Sequence, residues 1–171
     1  ISNGFGTHRR EIMYNDFVIV GPKPDEAQIS GSANATVAVQ KIAQAMVPYV
    51  SRGDDSGTHK AELNVWDAAV LTPEKFGAWY YAVGAGMGAA LNTASALNAY
   101  ILSDRASWLN FKNKGDLVLL YSGDPALFNQ YAFLPVNPAK HATARHDLAM
   151  QLEGWLVSEK AAKLINGYMI N

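Results

Sequence analysis

Three times along this 171-residue chain, a short apolar run gives way to a polar or glycine-rich turn and then to a helical pattern. The turns occupy residues 51–59, 84–88 and 103–105. Strands that alternate with helices predict an α/β fold with a largely parallel sheet. Because ligands of such sheets bind at the carboxyl ends of the strands, we expect the three turns to converge on one binding crevice.

The turn at residues 51–59 carries the most chemistry. It reads Ser-Arg-Gly-Asp-Asp-Ser-Gly-Thr-His and follows a short strand predicted at residues 49–51. A helical pattern continues over residues 60–70, with Ser56 as the predicted N-cap and Trp66 on the face predicted to be buried. Free backbone N–H groups at a helix N-terminus, with hydroxyls and a guanidinium beside them, bind anions. We therefore predict an oxyanion site here, with Arg52 as its charged ligand. The other predicted contributors are hydroxyl, backbone and guanidinium donors: Ser51, Ser56, Gly57, Thr58 and Arg105.

Composition excludes several classes of protein. About half of the residues are hydrophobic, which is enough for a packed core of one domain or two small lobes. A formal net charge of −1 argues against a nucleic-acid surface built on bulk charge. The absence of cysteine excludes disulfides and thiol catalysis. No apolar run reaches the roughly 18–20 residues of a membrane span.

The paired acids of the first turn, Asp54 and Asp55, do not predict a metal site. Adjacent side chains point in different directions, so we expect one carboxylate to orient Arg52 and the other to lie at the helix N-terminus. Arg105, in the third turn, is expected either to contribute to the anion site or to pair with Asp104. The histidines outside the first turn have no ligand spacing with one another: His8, His141 and His146.

Catalysis and a bound cofactor are not predicted. Ser56 and His59 lie within one helical turn, and the chain has no Gly-x-Ser-x-Gly elbow of the kind that a hydrolytic triad uses. The glycines of residues 84–88 lack the spacing of a dinucleotide fingerprint. No catalytic residue, metal ligand or cofactor is therefore assigned.

The Ser51–His59 run also carries a family resemblance that extends over essentially the whole chain. The chain resembles the tungstate-binding proteins of bacterial ABC transporters, in the type II periplasmic binding protein superfamily. The remaining matching segments include two strands, a glycine turn and several short polar pieces: residues 10–22, 86–89, 100–105, 123–125, 136–138 and 155–159.

The chain departs from the family pattern at a few places. The family's mature proteins begin with a Thr- and Ser-rich oxyanion motif, which nothing before Arg9 supplies, and they continue past the equivalent of Asn171. Ala85 stands where the family has glutamine, and Ala106 and Ser107 stand where it has Gly-Thr. We therefore expect this chain to correspond to the C-terminal two-thirds of such a protein, without part of its first lobe.

The resemblance implies a two-lobed protein with the oxyanion, tungstate or molybdate, held between the lobes. Residues 20–130 would form the second α/β lobe, and residues 1–19 with 131–171 a partial first lobe with two hinge strands. The implied location is periplasmic or extracellular and membrane-anchored, with a signal sequence upstream. The implied partner is an ABC permease, and exposed surface left by the missing part of the lobe would favour dimers of this fragment.

Other functions remain open at this point. The same architecture suits sulfate or phosphate, and it also suits an anion-sensing module without a transporter. A site made only of donors rejects a protonated oxyanion, because the protonated oxygen would face another donor. Phosphate therefore requires an inward carboxylate, for which Asp54 and Asp55 are the candidates.

Overall fold

In the computed structural model, which describes residues 1–169, the chain divides into two units. One unit consists of residues 15–129, and the other combines residues 1–14 with the chain from residue 130 onward. Residues 170 and 171, the end of the predicted first-lobe segment, lie outside the described residues. None of the helices within residues 1–169 is long and apolar enough to span a membrane.

Strands and helices alternate through most of the chain. The strands are β1 (Arg10–Pro22), β2 (Tyr49–Ser51), β3 (Tyr80–Ala82), β4 (Tyr100–Asp104), β5 (Leu117–Tyr121) and β6 (Phe128–Phe133). The α-helices are α1 (Ala35–Ala45), α2 (Gly57–Ala68), α3 (Met87–Leu97), α4 (Arg105–Asn110), α5 (His146–Leu156) and α6 (Glu159–Asn166). Short 3₁₀ turns occupy Pro73–Lys75 and Pro125–Leu127.

The sheet has the strand order β3-β2-β4-β1-β5, and β6 also pairs with β1. β2 is parallel to β3 and β4, whereas β1 is antiparallel to β4 and β5. Four strands therefore share one direction and β1 runs against them, so the prediction of a largely parallel sheet missed the reversed strand. The parallel pairs are the ones joined through crossover helices, α2 and α3, as parallel pairing requires.

Both faces of the sheet are covered, which explains why its strands read as continuous apolar runs. In β1, Phe17 and Ile19 belong to one buried cluster, while Val18 and Val20 belong to another. Successive side chains of a strand point to opposite faces, so the two clusters lie on the two sides of the sheet. Helices α1 and α2 supply residues to the first cluster, and α3 and α4 to the second.

Several helices begin where the sequence predicted, because side chains cap them. Ser56 accepts a hydrogen bond from the His59 N–H at 3.3 Å and starts α2. The sequence predicts a helix from Ala89 after the glycine turn, but α3 begins at Met87, since its N-cap Gly86 has no side chain to signal the start. The sequence also predicts a last strand over residues 131–136, which the structure places earlier, at Phe128–Phe133.

The unit that contains both ends of the described chain has its own contacts. The His8 Nε2 atom lies 2.8 Å from Oε2 of Glu153, a glutamate that is 8% exposed. The Asn137 side chain donates to the Gly4 carbonyl at 2.8 Å. These contacts join its N-terminal segment to its C-terminal segment within the same unit.

Candidate oxyanion site

Two of the three predicted turns are joined at the carboxyl ends of neighbouring strands. Ser51 is opposite Ala82 in the parallel β2–β3 pair, so the turns that follow leave the sheet side by side. The Val83 N–H donates to the Ser51 carbonyl at 3.0 Å, and the Ala85 N–H donates to the Arg52 carbonyl at 3.2 Å. The third turn follows β4, which is parallel to β2 on its other side. The three turns therefore lie at one edge of the sheet, and a binding crevice formed by them remains a prediction.

Close packing fixes the backbone of the 51–59 turn. Gly53 has a φ of +58°, and a Cβ at this position would lie 2.9 Å from Cβ of Ala82. Glycine is therefore required by both the left-handed conformation and the approach to β3. The Ser56 N–H donates to Oδ1 of Asp54 at 3.2 Å immediately before α2 begins.

Arg52 is held in place by a carboxylate of its own turn. Its Nε donates to Oδ2 of Asp54 at 3.1 Å, and Nη2 donates to the same oxygen. Its Nη1 donates weakly to Oγ1 of Thr58 at 3.5 Å. A guanidinium has five N–H groups, so two remain for a ligand after these contacts. The expectation that an acid of this turn orients Arg52 is confirmed, and the acid is Asp54.

The Asp54 carboxylate stays ionised under acidic conditions. Hydrogen bonds from Ser56, and then from Arg52, lower the pKa of Asp54 to about 2 against the opposing effect of desolvation. Asp55 is the more exposed acid, and its Oδ1 lies 3.4 Å from Nζ of Lys60. The two acids therefore have separate partners, as their adjacent positions suggested.

The first turn of α2 begins at the exposed Gly57 and supplies backbone donors. Gly57 and Thr58 supply the first two helical N–H groups, which have no acceptor within the helix. A Cβ at Gly57 would meet no atom within 4 Å. The Ser56 hydroxyl already accepts from His59 and donates to Asp54, so the two amide N–H groups are what this helix end offers a ligand, and a ligand role for Ser56 remains a prediction.

The glycine turn after β3 forms a second open helix start. Gly86 caps α3 without a side-chain hydrogen bond, and Cβ atoms at Gly84, Gly86 and Gly88 would meet no atom within 4 Å. Sequence reasoning weighed this run as a convergent turn but assigned none of its residues to the site. The absence of side chains lets a ligand approach the backbone closely.

Arg105 has a different role from Arg52. Its Nε and Nη2 donate to the two oxygens of Asp16, at 2.7 and 2.6 Å. These hydrogen bonds hold the pKa of the Asp16 carboxyl below its usual value. The expected alternative, a pairing with Asp104, is wrong, because that carboxylate caps α4 by accepting from the Ser107 N–H at 2.8 Å.

Ser51 and Glu62 form a buried layer beneath the turn. The Ser51 hydroxyl donates to Oε2 of Glu62 at 2.7 Å and accepts from the Gly53 N–H at 3.2 Å. Oε1 of Glu62 accepts from Nε1 of Trp66 at 3.1 Å and from the Tyr80 hydroxyl at 2.7 Å. Burial raises the pKa of Glu62. A direct ligand role for Ser51 remains a prediction.

Sequence reasoning missed Glu62, although one signal was present. The residue lies four positions before Trp66 on a helix face predicted to be buried, where an acid is unusual. Within residues 1–169, no group of three or more histidine, cysteine, aspartate or glutamate side chains is arranged to hold a metal ion. The groups presented at the sheet edge are N–H, O–H and guanidinium donors, which suit an oxyanion.

Comparisons with known proteins agree with this chemistry. A model of the PBP superfamily domain matches residues 1–160. A protein of Haloferax volcanii, described as an anion-binding protein of an ABC transporter, is 43% identical over 176 residues, which cover 100% of this chain and 51% of the relative. The tungstate-binding protein TupA of Peptoclostridium acidaminophilum is 39% identical over 170 residues, covering 98% of this chain and 59% of the relative.

A solved structure extends the comparison to three dimensions. The tungstate-binding protein TupA of Desulfovibrio alaskensis G20 superposes with a TM-score of 0.86 at 39% identity, covering 99% of this chain and 69% of that one. The chain spans between about half and three fifths of the length of the two curated relatives.

Proposed function

The chain belongs to the PBP superfamily, and we propose that the complete protein is an extracytoplasmic solute-binding protein that captures tungstate, or molybdate, for an ABC permease. The names of the relatives support tungstate as the ligand and an ABC transporter as the partner. The local chemistry supplies the means of binding, and it rests on one arrangement at the sheet edge.

That arrangement is the Arg52 guanidinium, fixed beside the open end of α2. Asp54 takes two of its N–H groups and keeps the plane oriented, while Nη1 lies next to Thr58. The side chain is 17% exposed, so part of it is accessible to solvent and to an incoming ligand. An anion placed against Arg52 would also meet the Gly57 and Thr58 amides, which combine charge-assisted and helix-terminus hydrogen bonds.

The carboxylates near this arrangement support a fully deprotonated ligand. Both oxygens of Asp54 already accept hydrogen bonds, from Arg52 and from the Ser56 N–H. The side chain of Asp55 is 88% exposed and lies beside Lys60. Neither acid is placed as an acceptor for the proton of hydrogen phosphate, so the contacts favour tungstate, molybdate or sulfate over phosphate.

The lobes of the complete protein are part of the proposal. We assign residues 15–129 to the second lobe, and residues 1–14 with the chain from residue 130 to part of the first. β1 and β6, which run through residues 14–15 and 129–130, would be the hinge strands. The relatives are longer than this chain, and their additional length would supply the donors of the facing lobe.

Calorimetric titration of the full-length protein with tungstate, molybdate, sulfate and phosphate tests the proposal. We expect tungstate to bind at least as tightly as molybdate and phosphate to bind far more weakly. Binding of phosphate with no response to tungstate would overturn it.

Two other functions give different outcomes. An enzyme would hydrolyse ester or phosphoester substrates and lose that turnover in a Ser56→Ala variant, and we expect no turnover. An anion sensor would bind the same ligands, but its full gene would lack a leader sequence or lipoprotein cysteine upstream.

A further inference from the structure

Glu62 is a buried acid directly behind the proposed anion-binding turn, and ligand binding as described above makes no use of it. Its side chain is 2% exposed. It accepts three hydrogen bonds, from Ser51 on β2, Trp66 on α2 and Tyr80 on β3. The carboxylate therefore connects the two strands and the helix that frame the turn.

The hydrogen bond from Ser51 continues into the backbone of the turn. A serine hydroxyl has one proton, and here that proton points to Oε2 of Glu62 at 2.7 Å. The lone pairs of the same oxygen are left for the Gly53 N–H, which donates at 3.2 Å. The acid thus sets the orientation of the hydroxyl, and the hydroxyl holds the Gly53 peptide.

The Gly53 peptide lies between the two residues that aim the guanidinium. Arg52 and Asp54 flank it and hydrogen bond to each other. Its left-handed φ of +58° and its close approach to Ala82 leave it little room to move without moving both neighbours. A change in the support of this peptide therefore changes the direction of the arginine.

We infer that Glu62 is a positioning residue for oxyanion recognition, which acts through Ser51 and the Gly53 peptide on the Arg52–Asp54 pair. The consequence for binding rests on the proposed function. Burial and the three donors exclude the carboxylate from direct contact with an anion, which it would also repel.

Ionised Glu62 suits the groups that face it. The indole N–H of Trp66 can only donate, and the hydroxyls of Ser51 and Tyr80 both approach within 2.7 Å. Burial raises the pKa of Glu62, whereas its three hydrogen-bond donors, and then His59 on the first turn of α2, favour the charged form. The network is therefore fully satisfied only when the acid is a carboxylate.

A Glu62→Gln variant keeps the shape of the side chain and removes one acceptor. The amide oxygen serves two donors if it faces Trp66 and Tyr80, so the amide nitrogen should face Ser51. The Ser51 proton then has no acceptor. Tyr80→Phe is the matched control, because it removes a donor from the same carboxylate and keeps both partners of the Ser51–Glu62 and Gly53–Ser51 hydrogen bonds.

Titration of the full-length variants with tungstate measures the consequence. We expect Glu62→Gln to raise the Kd about tenfold, by analogy with buried residues that orient the ligands of metal ions. Ser51→Ala should raise the Kd by about the same factor. The double variant should raise it no further than either single change, since both changes interrupt the same chain of hydrogen bonds from Glu62 to the Gly53 peptide. Tyr80→Phe should lower Tm and leave the Kd within about twofold.

Two results would overturn the inference. If Glu62→Gln lowers Tm as Tyr80→Phe does but leaves the Kd unchanged, the acid only stabilises the fold. If Ser51→Ala weakens binding and its effect adds to that of Glu62→Gln, Ser51 is itself a ligand and does not transmit the effect of Glu62.

Amide exchange at Gly53, measured by NMR without ligand, separates this inference from the proposed function. We expect the Gly53 N–H to exchange faster in Glu62→Gln than in the wild type and in Tyr80→Phe. If the wild type binds none of the four oxyanions, the proposed function fails, and the exchange rate alone decides the inference. Unchanged exchange at Gly53 in Glu62→Gln then overturns it.

Discussion

The first and third turns of the sheet edge each place an arginine just beyond a parallel strand, but they use it differently. Arg52 is oriented by Asp54, two residues away in the same turn, and keeps part of its guanidinium available. Arg105 is bound through Nε and Nη2 to Asp16, which lies on β1. The Arg52–Asp54 pair lies within one turn and orients a hydrogen-bond donor, whereas the Arg105–Asp16 pair joins the start of α4 to β1, which is distant in the sequence.

The difference shows that the type of residue at a strand end does not determine its role. Both carboxylates engage Nε and Nη2 of their arginine, so the number of N–H groups left over does not separate the two roles. The single oxygen that holds Arg52 accepts from two nitrogens and leaves Nη1 directed toward Thr58. The position of the partner carboxylate therefore separates a predicted ligand from a structural residue.

The largest effect tests whether the 51–59 turn is sufficient by itself. Residues 1–171 alone should bind tungstate at least about a hundredfold more weakly than a protein of the relatives' full length. The reason is that two or more hydrogen bonds to the anion, each about 1.5 kcal/mol, would come from the facing lobe that the additional length of the relatives supplies. Parallel calorimetry on both proteins checks this, and equal affinities would contradict it.

The next largest effect is that of the available arginine. Arg52→Ala in the full-length protein should weaken tungstate binding by at least ~2 kcal/mol, or about thirtyfold, through loss of a charge-assisted bond. Arg52→Lys should recover part of this, since it restores the charge without the fork of donors. An unchanged Kd in Arg52→Ala would refute its assignment as a ligand.

Arg105→Ala should affect folding stability more than ligand affinity. We expect a smaller loss of affinity than in Arg52→Ala, with a loss of about 1 kcal/mol of folding stability because the pair with Asp16 is partly exposed. Asp16→Asn is the matched control, and it should lower the stability similarly. Chemical denaturation measures the stability, and a larger affinity loss for Arg105→Ala than for Arg52→Ala would invert the comparison.

The smallest effect is the pH dependence of the stability that the Arg52–Asp54 pair contributes. The pKa of Asp54 is about 2 in the folded protein against 3.8 as its ordinary value, so its contribution to stability is present above pH 3.8. That contribution is lost as the pH falls through about 2. The difference in Tm between the wild type and Asp54→Asn should therefore shrink over this range, and a difference that grows on acidification would contradict the pairing.

Local features of the site could be predicted from the sequence. β2 lies at Tyr49–Ser51 as predicted, and Ser56 caps α2 as predicted, because strand and cap signals depend on neighbouring residues. The orientation of Arg52 by an adjacent acid followed from the same short run. Each of these interactions spans only a few positions along the chain.

Long-range features could not be predicted in this way. The pairing of Arg105 with Asp16 joins residues 89 positions apart, and the reversed direction of β1 depends on which strands it meets. The donors to Glu62 come partly from β2 and β3, which no pattern within α2 reveals. The hydrophobic periodicity of a helix indicates which positions are buried, but it does not indicate which residues of other elements contact them.

The division of the chain into two units has a consequence for the order of folding. Residues 15–129 are continuous, whereas the other unit joins residues 1–14 to the chain beyond residue 129. Its two segments can meet only after a long loop is closed, and a folded intervening unit greatly shortens the distance to be searched. During synthesis, the continuous unit can complete its contacts while the last helices are still in the ribosome. Slow steps in refolding should therefore concentrate in contacts such as that between His8 and Glu153.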